Sequence, residues 1–308
     1  MEIIKRNNIS LYKFEVGNST FIVNPFEGAR LLSWDIKNAD STVRSVIPWT
    51  NPEICGGRAM GDVFGGNPVI FPFPSTSFVG KTPDIWRTPR GDVRVMRRHG
   101  YAWVGKFDVV YSSDTVLKMK FVPEPECLEA YPYDYNFHVR YEFAETSFTS
   151  EMVLENKGDV PMPWGGGFHP YFTIPWVKGE PKRKYRLITD AAHSTYNVGD
   201  GTRYELKNLD KMSFGDGEMV GRILCGLKTG KLKIAREGGG SIDITINDNR
   251  KPDPSLVVVS WGKARDGDGD FFAVEPWLAP PNCATKPQHF AAPKSEDKLK
   301  MRVEVCGR

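Results

Sequence analysis

The sequence predicts an all-β protein of large antiparallel sheets packed as a sandwich. Three observations carry that expectation. Period-two segments recur from end to end, among them SLYKFEV (10–16), YNFHVRYEF (135–143) and KLKMRVEV (298–305). The 30 glycines and 23 prolines break the chain too often for a long amphipathic helix. No repeat of about 20–50 residues marks a propeller, and the runs suit a sandwich better than a barrel of short strands.

Taken in order, STFIVNP (19–25) and ARLLSWDI (29–36) continue the first meander. GDVRVMRR (91–98), KFDVVYSSDTVLKMKFVP (106–123) and YNFHVRYEFAETSFTSEMVLENKGD (135–159) extend the pattern, followed by KLKIAREGGGSIDITIND (231–248) and SLVVVSW (255–261). SSD, NKGD and EGGG read as hairpin turns. The stretch 52–89 is different, rich in Gly, Pro and aromatics; it reads equally as a functional loop and as a cap on a sheet. No Ser-, Gly- or Pro-rich linker divides the chain, so residues 1–308 are expected to form a single domain.

Composition excludes several function classes. Hydrophobic residues make up 40% and charged residues 26%, as in ordinary soluble globular proteins. The 41 Lys and Arg against 38 Asp and Glu leave a net charge of +3 with no basic stripe, which argues against a nucleic-acid partner. No secretory signal opens the chain and no apolar run is long enough to span a bilayer, so no membrane partner is expected. Five scattered cysteines (Cys55, Cys127, Cys225, Cys283, Cys306) without CxxC spacing suggest free thiols in a reducing, cytoplasmic setting. Oligomeric state is unreadable from sequence.

Three segments could carry chemistry. In GGGFHPYF (165–172) the glycines free the backbone, and Pro170 holds His169 in an extended conformation among aromatics. A packed histidine at a strand end is the plainer alternative. RHGYAW (98–103) supplies His99. FFAVEPW (271–277) ends an apolar strand on Glu275, restricted in turn by Pro276. On that strand Phe271, Ala273 and Glu275 share one face while Phe272, Val274 and Pro276 share the other. A carboxylate ending such a run is expected to be partly desolvated, which costs free energy unless it is paired or used.

GGNPVIFP (65–72), RHGYAW, GFHPYF and AVEPWLAPPN (273–282), in this order, resemble the aldose 1-epimerase (galactose mutarotase-like) family over essentially the whole chain. The resemblance implies a large antiparallel β-supersandwich whose concave sheet holds a small-molecule sugar. It further implies an isomerase exchanging α and β anomers, with Glu275 as general base, His169 as general acid and His99 as a second site histidine. No metal or other cofactor is implied. Relatives acting on hexose 6-phosphates carry HGFAR and an Arg before GG-x-P, where this chain has Trp103 and Phe64, so a neutral hexose is expected. Arg58, Arg97 or Arg98 could substitute.

Asn67, Asn197 and Trp103 are further candidates to touch the sugar. Asn197 is the nearest counterpart of an Asp the family often places after the HPYF segment. Trp176 and Trp277 could stack on it or pack in the core. His138 is placed on an open sheet face, and His193 and His289 in solvated loops. DGDGD (266–270) departs from a calcium loop at Phe271 and reads as a turn. Two alternatives of other classes are a catalytically silent carbohydrate-binding protein and a two-His-one-carboxylate metal site.

Overall fold

In the computed structural model the described residues are 1–56, 62–197, 203–206, 209, 212–262 and 269–307; the side chains of 196, 197 and 203–206 are outside that description. The elements are strands, apart from the short helix Pro125–Ala130 and single 3-10 turns. A five-stranded meander (Glu2–Arg6, Ile9–Val16, Ser19–Asn24, Arg30–Lys37, Val43–Ile47) runs in sequence order. An eight-stranded sheet orders Lys106–Ser112, Val116–Val122, Tyr135–Ala144, Ser147–Asn156, Ser295–Cys306, Ser241–Ile246, Lys231–Arg236 and Tyr185–Ile188. The carboxy-terminal strand thus closes the middle of this sheet, pairing Phe148 with Val303 on one side and Ile244 with Val303 on the other.

A second large sheet carries the site. Its order is Arg203–Leu206, His193–Asn197, Arg222–Cys225, Val257–Trp261, Phe271–Trp277, Gly167–Phe168 and Val69–Ile70, with Tyr171–Thr173 also pairing on Phe271–Trp277. Every pairing in the three sheets is antiparallel.

The period-two pattern explains which faces are buried. Along Tyr135–Ala144 the residues Tyr135, Phe137, Val139, Tyr141 and Phe143 are buried while the alternate positions, His138 among them, stay partly or fully exposed. Phe143 meets Phe14 and Phe21 of the meander at ring distances of 4.6 and 4.5 Å, and Phe137 stacks on Phe71 at 4.1 Å. Each such ring contributes roughly 1.5–3 kcal/mol by leaving water. Phe271–Trp277 breaks the pattern, because all seven of its residues are buried. It is covered on both faces, as its unbroken apolar run requires.

Two details differ from the sequence expectation. SSD and EGGG do close hairpins, but NKGD leads into Met162–Pro163, which pairs with Phe290–Ala291 rather than folding back on its own strand. His289 is not solvated: its side chain is 12% exposed, with Nε2 2.6 Å from Asp297 Oδ2 and Nδ1 3.6 Å from Asp253 Oδ2. Two carboxylates next to an apolar ring hold it in place, and Trp164 Nε1 donates to the same Asp297 oxygen at 2.9 Å. His193 is exposed, but it begins a strand. No helix of the described residues is long and apolar enough to cross a membrane.

Asp297 and Asp253 push the pKa of His289 up against the burial that lowers it, while His289 and Trp164 hold Asp297 low. The pair therefore stabilises the fold between the two shifted values. Its contribution fades as pH rises through the raised value of His289, and as pH falls through the lowered value of Asp297. His289→Gln is expected to lower stability near pH 6 by about 2 kcal/mol and by less near pH 9. Denaturant melts at both pH values check this; an equal loss at both would assign His289 a packing role only.

Candidate active site

The site is built where two glycine-rich segments lie side by side. Gly167 pairs with Ile70 on one flank and Trp277 on the other. The backbone N–H of His169 donates to Pro68 O at 3.0 Å, and that of Tyr171 to Gly66 O at 2.9 Å. The segment GGNPVIFP thus acts as a rail along which GGGFHPYF is laid. A Cβ on Gly167 would collide with the Trp277 indole, so glycine is what lets that ring close over the strand.

On this frame His169 and Glu275 converge. Their Nε2 and Oε2 atoms are 3.0 Å apart, with side-chain exposures of 7% and 1%. The contact lacks hydrogen-bond alignment: neither Glu275 Oε2 nor His169 Nδ1 has a hydrogen-bond partner among the described residues. Both groups are desolvated. Burial pushes the Glu275 carboxyl well above the usual carboxylate range, with Arg98 and the Trp277 indole pulling the other way. Burial, reinforced by His99, pushes His169 well below an ordinary imidazole. In a low-dielectric wall the pair is stable with one proton between the two groups.

His99 stands edge-on to His169 at a ring distance of 5.6 Å and stacks on Trp103 at 4.5 Å. Its backbone is in the left-handed region at φ 61°, followed by Gly100 at φ 77°, where a Cβ would strike the Phe71 carbonyl. The Ser75 N–H donates to His99 Nδ1 at 3.2 Å, so the neutral ring carries its proton on Nε2. Burial, helped by Arg98, pushes its pKa down to about 3.

These groups line a cleft of about 770 Å³ that also includes Trp103, Trp277, Tyr171, Arg98, Trp261 and Asn282. Within the stretch 52–89, of which 57–61 are outside the description, Val69–Ile70 forms the edge strand of the sheet, and Asp62, Val63, Phe64, Ser75, Thr76 and Phe78 line the cleft. Of the residues singled out from sequence, His99, His169, Glu275, Trp103 and Trp277 meet here. Asn67 does not line the cleft: its N–H donates to Leu31 O at 2.7 Å and its side chain is fully buried between layers. Nor does Trp176, which lies beyond Tyr171–Thr173 and packs on Tyr185 at 4.6 Å beneath the Arg44 guanidinium. The Asn197 side chain is outside the described residues, as is Arg58. Arg97 is engaged by Glu126 at 2.6 Å. Most of DGDGD likewise falls outside. Among the described residues no three His, Cys, Asp or Glu side chains are grouped to hold a metal ion.

Sequence inspection missed Trp261, Val259 and Ile223. Alternation along SLVVVSW puts Val259 and Trp261 on one face. Only the pairing of Val259 with Glu275 and of Ile223 with Val259 shows that this face is the cleft wall.

A family model described as aldose 1-epimerase matches residues 11–214, a span that contains His99 and His169 but not Glu275. The protein LacX, plasmid form, of Lactococcus lactis subsp. lactis is 27% identical over 143 residues, 44% of this chain. That alignment likewise spans only 44% of LacX. A galactose mutarotase-like protein from Clostridium acetobutylicum superposes with a TM-score of 0.77 at 13% identity, covering 100% of this chain and 98% of that one. One from Lactobacillus casei ATCC 334 does so at 0.73 and 20% identity, covering 96% and 100%. At such identities these two structures establish the fold.

The Ser75 contact and the burial of His99 give a spectroscopic expectation. Imidazole ¹⁵N chemical shifts recorded between roughly pH 5 and 8 are expected to show His99 as the neutral Nε2–H tautomer throughout. A midpoint for His99 near 6.5 would remove it as a fixed neutral donor.

Proposed function

The chain belongs to the aldose 1-epimerase family, and on that premise we propose that it exchanges the α and β anomers of an aldose using Glu275 and His169 as its proton-transfer pair. One observation carries this proposal. A carboxyl and an imidazole, both buried, stand 3.0 Å apart on a cleft wall with unpartnered atoms. Buried polar atoms cost free energy when unpaired, and a hydroxylated ligand is what would pair them.

The chemistry needs one acceptor and one donor. Glu275 takes the proton of the C1 hydroxyl while His169 protonates the ring oxygen, and the bond between C1 and that oxygen breaks. Rotation about C1–C2 turns the aldehyde, and closure with both transfers reversed yields the other anomer. Atoms and electrons balance without an oxidant, so no redox cofactor is implied. In the empty cleft, burial favours the shared proton on the carboxyl. The hydroxyl dipoles of a bound sugar, which stabilise an ionised carboxylate, favour placing it on the imidazole, the arrangement in which Glu275 is the base. His99, a neutral donor beside His169, is suited to hold a sugar oxygen. Each positioned acid or base typically contributes about 10²–10⁴-fold, enough for a reaction that already proceeds in water.

A neutral hexose is the preferred substrate, because Trp103 and Phe64 occupy positions where hexose 6-phosphate relatives resemble this chain but carry arginines. Arg98 on the cleft wall favours the phosphorylated reading as an alternative. A much lower KM for glucose 6-phosphate than for glucose would select it. One core cluster extends from Tyr12 to Val305, which supports reading the whole chain as one domain.

Polarimetry on a pure sugar anomer tests the activity. Glu275→Gln is expected to lower the exchange rate by about 10²–10⁴-fold while sugar binding, followed by tryptophan fluorescence, survives. Wild-type protein that binds sugar without speeding exchange would instead be a silent carbohydrate-binding protein. The pH profile has a definite sign. Below the lowered pKa of His169 the pair gains a second proton and has no base, and above the raised pKa of Glu275 it has no acid. Exchange is therefore expected to be lost on the acid side only below the ordinary imidazole range and on the alkaline side only above the ordinary carboxylate range; an acid-side midpoint at or above that of a free imidazole would contradict the one-proton pair.

A further inference from the structure

The exchange chemistry makes no use of His289, yet the bonds around it lead back to both members of the proton-transfer pair. Its Nε2 reaches Asp297 Oδ2 at 2.6 Å, and the same oxygen accepts the Trp164 indole N–H at 2.9 Å. Trp164 opens the run WGGGFH (164–169), and its backbone N–H donates to His289 O at 3.2 Å. On the other side of the ring, Nδ1 faces Asp253 Oδ2 at 3.6 Å. Asp253 Oδ1 accepts the Ser255 N–H at 2.8 Å, and Ser255 Oγ lies 2.6 Å from that oxygen and 2.7 Å from Leu278 O. Leu278 comes three residues after Glu275. Its N–H donates at 3.0 Å to the carbonyl of Gly166, three residues before His169.

The imidazole therefore joins two tethers. Trp164 and Asp297 tie the His169 segment to the strand Ser295–Cys306, in the middle of the eight-stranded sheet. Between Trp164 and Phe168 that segment has only glycines, so the Trp164 indole is its side-chain anchor at this end. Ser255 ties the end of the Glu275 strand, through Leu278 O, to the loop 250–256.

The strength of the second tether depends on one proton. In the imidazolium both ring N–H groups point at carboxylates, and the charge weakens the pull of Asp253 on the Ser255 hydroxyl. That hydroxyl has a single proton, which is then available to Leu278 O. A neutral ring keeps its N–H on the nearer Asp297 and turns a lone pair toward Asp253, whose full charge draws the Ser255 proton away from Leu278. Among the described residues the charged groups facing the ring are these two carboxylates, while Trp164 and Met162–Pro163 bring an indole N–H and apolar side chains. Lys286 on the loop of His289, and Arg250 and Lys251 before Asp253, are exposed. Burial lowers the His289 pKa, but Asp297 and Asp253 together raise it, so the neutral ring is reached on the alkaline side of the ordinary imidazole range.

We propose that His289 is a positioning residue for the proton-transfer pair: as an imidazolium it fixes the junction of Gly166 with Leu278, and with it the approach of His169 to Glu275, and as a neutral ring it loosens that junction. The effect on rate rests on the proposed anomer exchange; the link between His289 and His169 does not.

Imidazole ¹⁵N signals followed against pH, with kcat and KM from polarimetry, test this. In the wild type the His169 signal is expected to inflect at the His289 midpoint. Through the same midpoint kcat is expected to fall about three- to tenfold at nearly constant KM, a fraction of the roughly 10²-fold that a 1 Å misplacement can cost. Asp253→Asn keeps the Ser255 bonds on its amide oxygen and offers an N–H to Nδ1, so it is expected to retain the higher kcat and lose the fall. His289→Gln is expected to stay at the lower kcat throughout. A His169 signal without the inflection, a kcat unchanged through the midpoint in active protein, or a fall at the wild-type midpoint that persists in Asp253→Asn would overturn the proposal. The inflection in protein that exchanges no anomer would support the link while refuting the proposed activity. Denaturant melts show whether His289→Gln folds; if it does not, the wild-type titration and Asp253→Asn decide.

Discussion

The desolvation of Glu275 is the constraint to which the rest of the site answers. The strand that carries it is buried along its whole length, and a lone carboxylate there would cost several kcal/mol. The apolar side chains that cause this flank Glu275 on both sides. Ile223, Val259 and Trp277 belong to one cluster; Tyr171, Phe271 and Ala273 belong to another. What makes the position tolerable is His169 at 3.0 Å, because one proton can be divided between the two groups. The same environment that makes the carboxyl expensive to ionise also makes it a strong proton acceptor when it is ionised.

That arrangement needs a backbone that does not yield. His169 is held through bonds from its segment to Gly66, Pro68 and Pro72, and these residues are placed in turn by the meander, where Asn67 N–H meets Leu31 O. Arg30 of the same meander fixes the carbonyls around Phe64. The amino-terminal sheet therefore supports both the His169–Glu275 pair and the backbone around Phe64.

Much of this was legible in the chain. The strands followed from alternation, and the pre-proline histidine and glutamate stood out because their neighbours were aromatic or apolar. His99, His169 and Glu275 could be singled out from motifs separated by 70 and 106 residues. Asn67 and Trp176 could not be sorted the same way. Whether a side chain beside a motif points into a cleft or between layers depends on the face its strand presents, and a neighbouring segment sets that. His289 shows the same limit, since Asp253 and Asp297 reach it only after two distant segments are brought together.

Residue types and their alternation, by themselves, determined an all-β fold and which groups were able to move protons. The spacing of apolar side chains along a pleated strand is a local property, and so is proline's restriction of the residue before it. Tertiary structure alone decided that Glu275 and His169 touch, that His99 keeps its proton on Nε2, and that Trp261 shares a wall with them. Cross-strand register sets those contacts, and register is a relation between segments that neither segment carries alone.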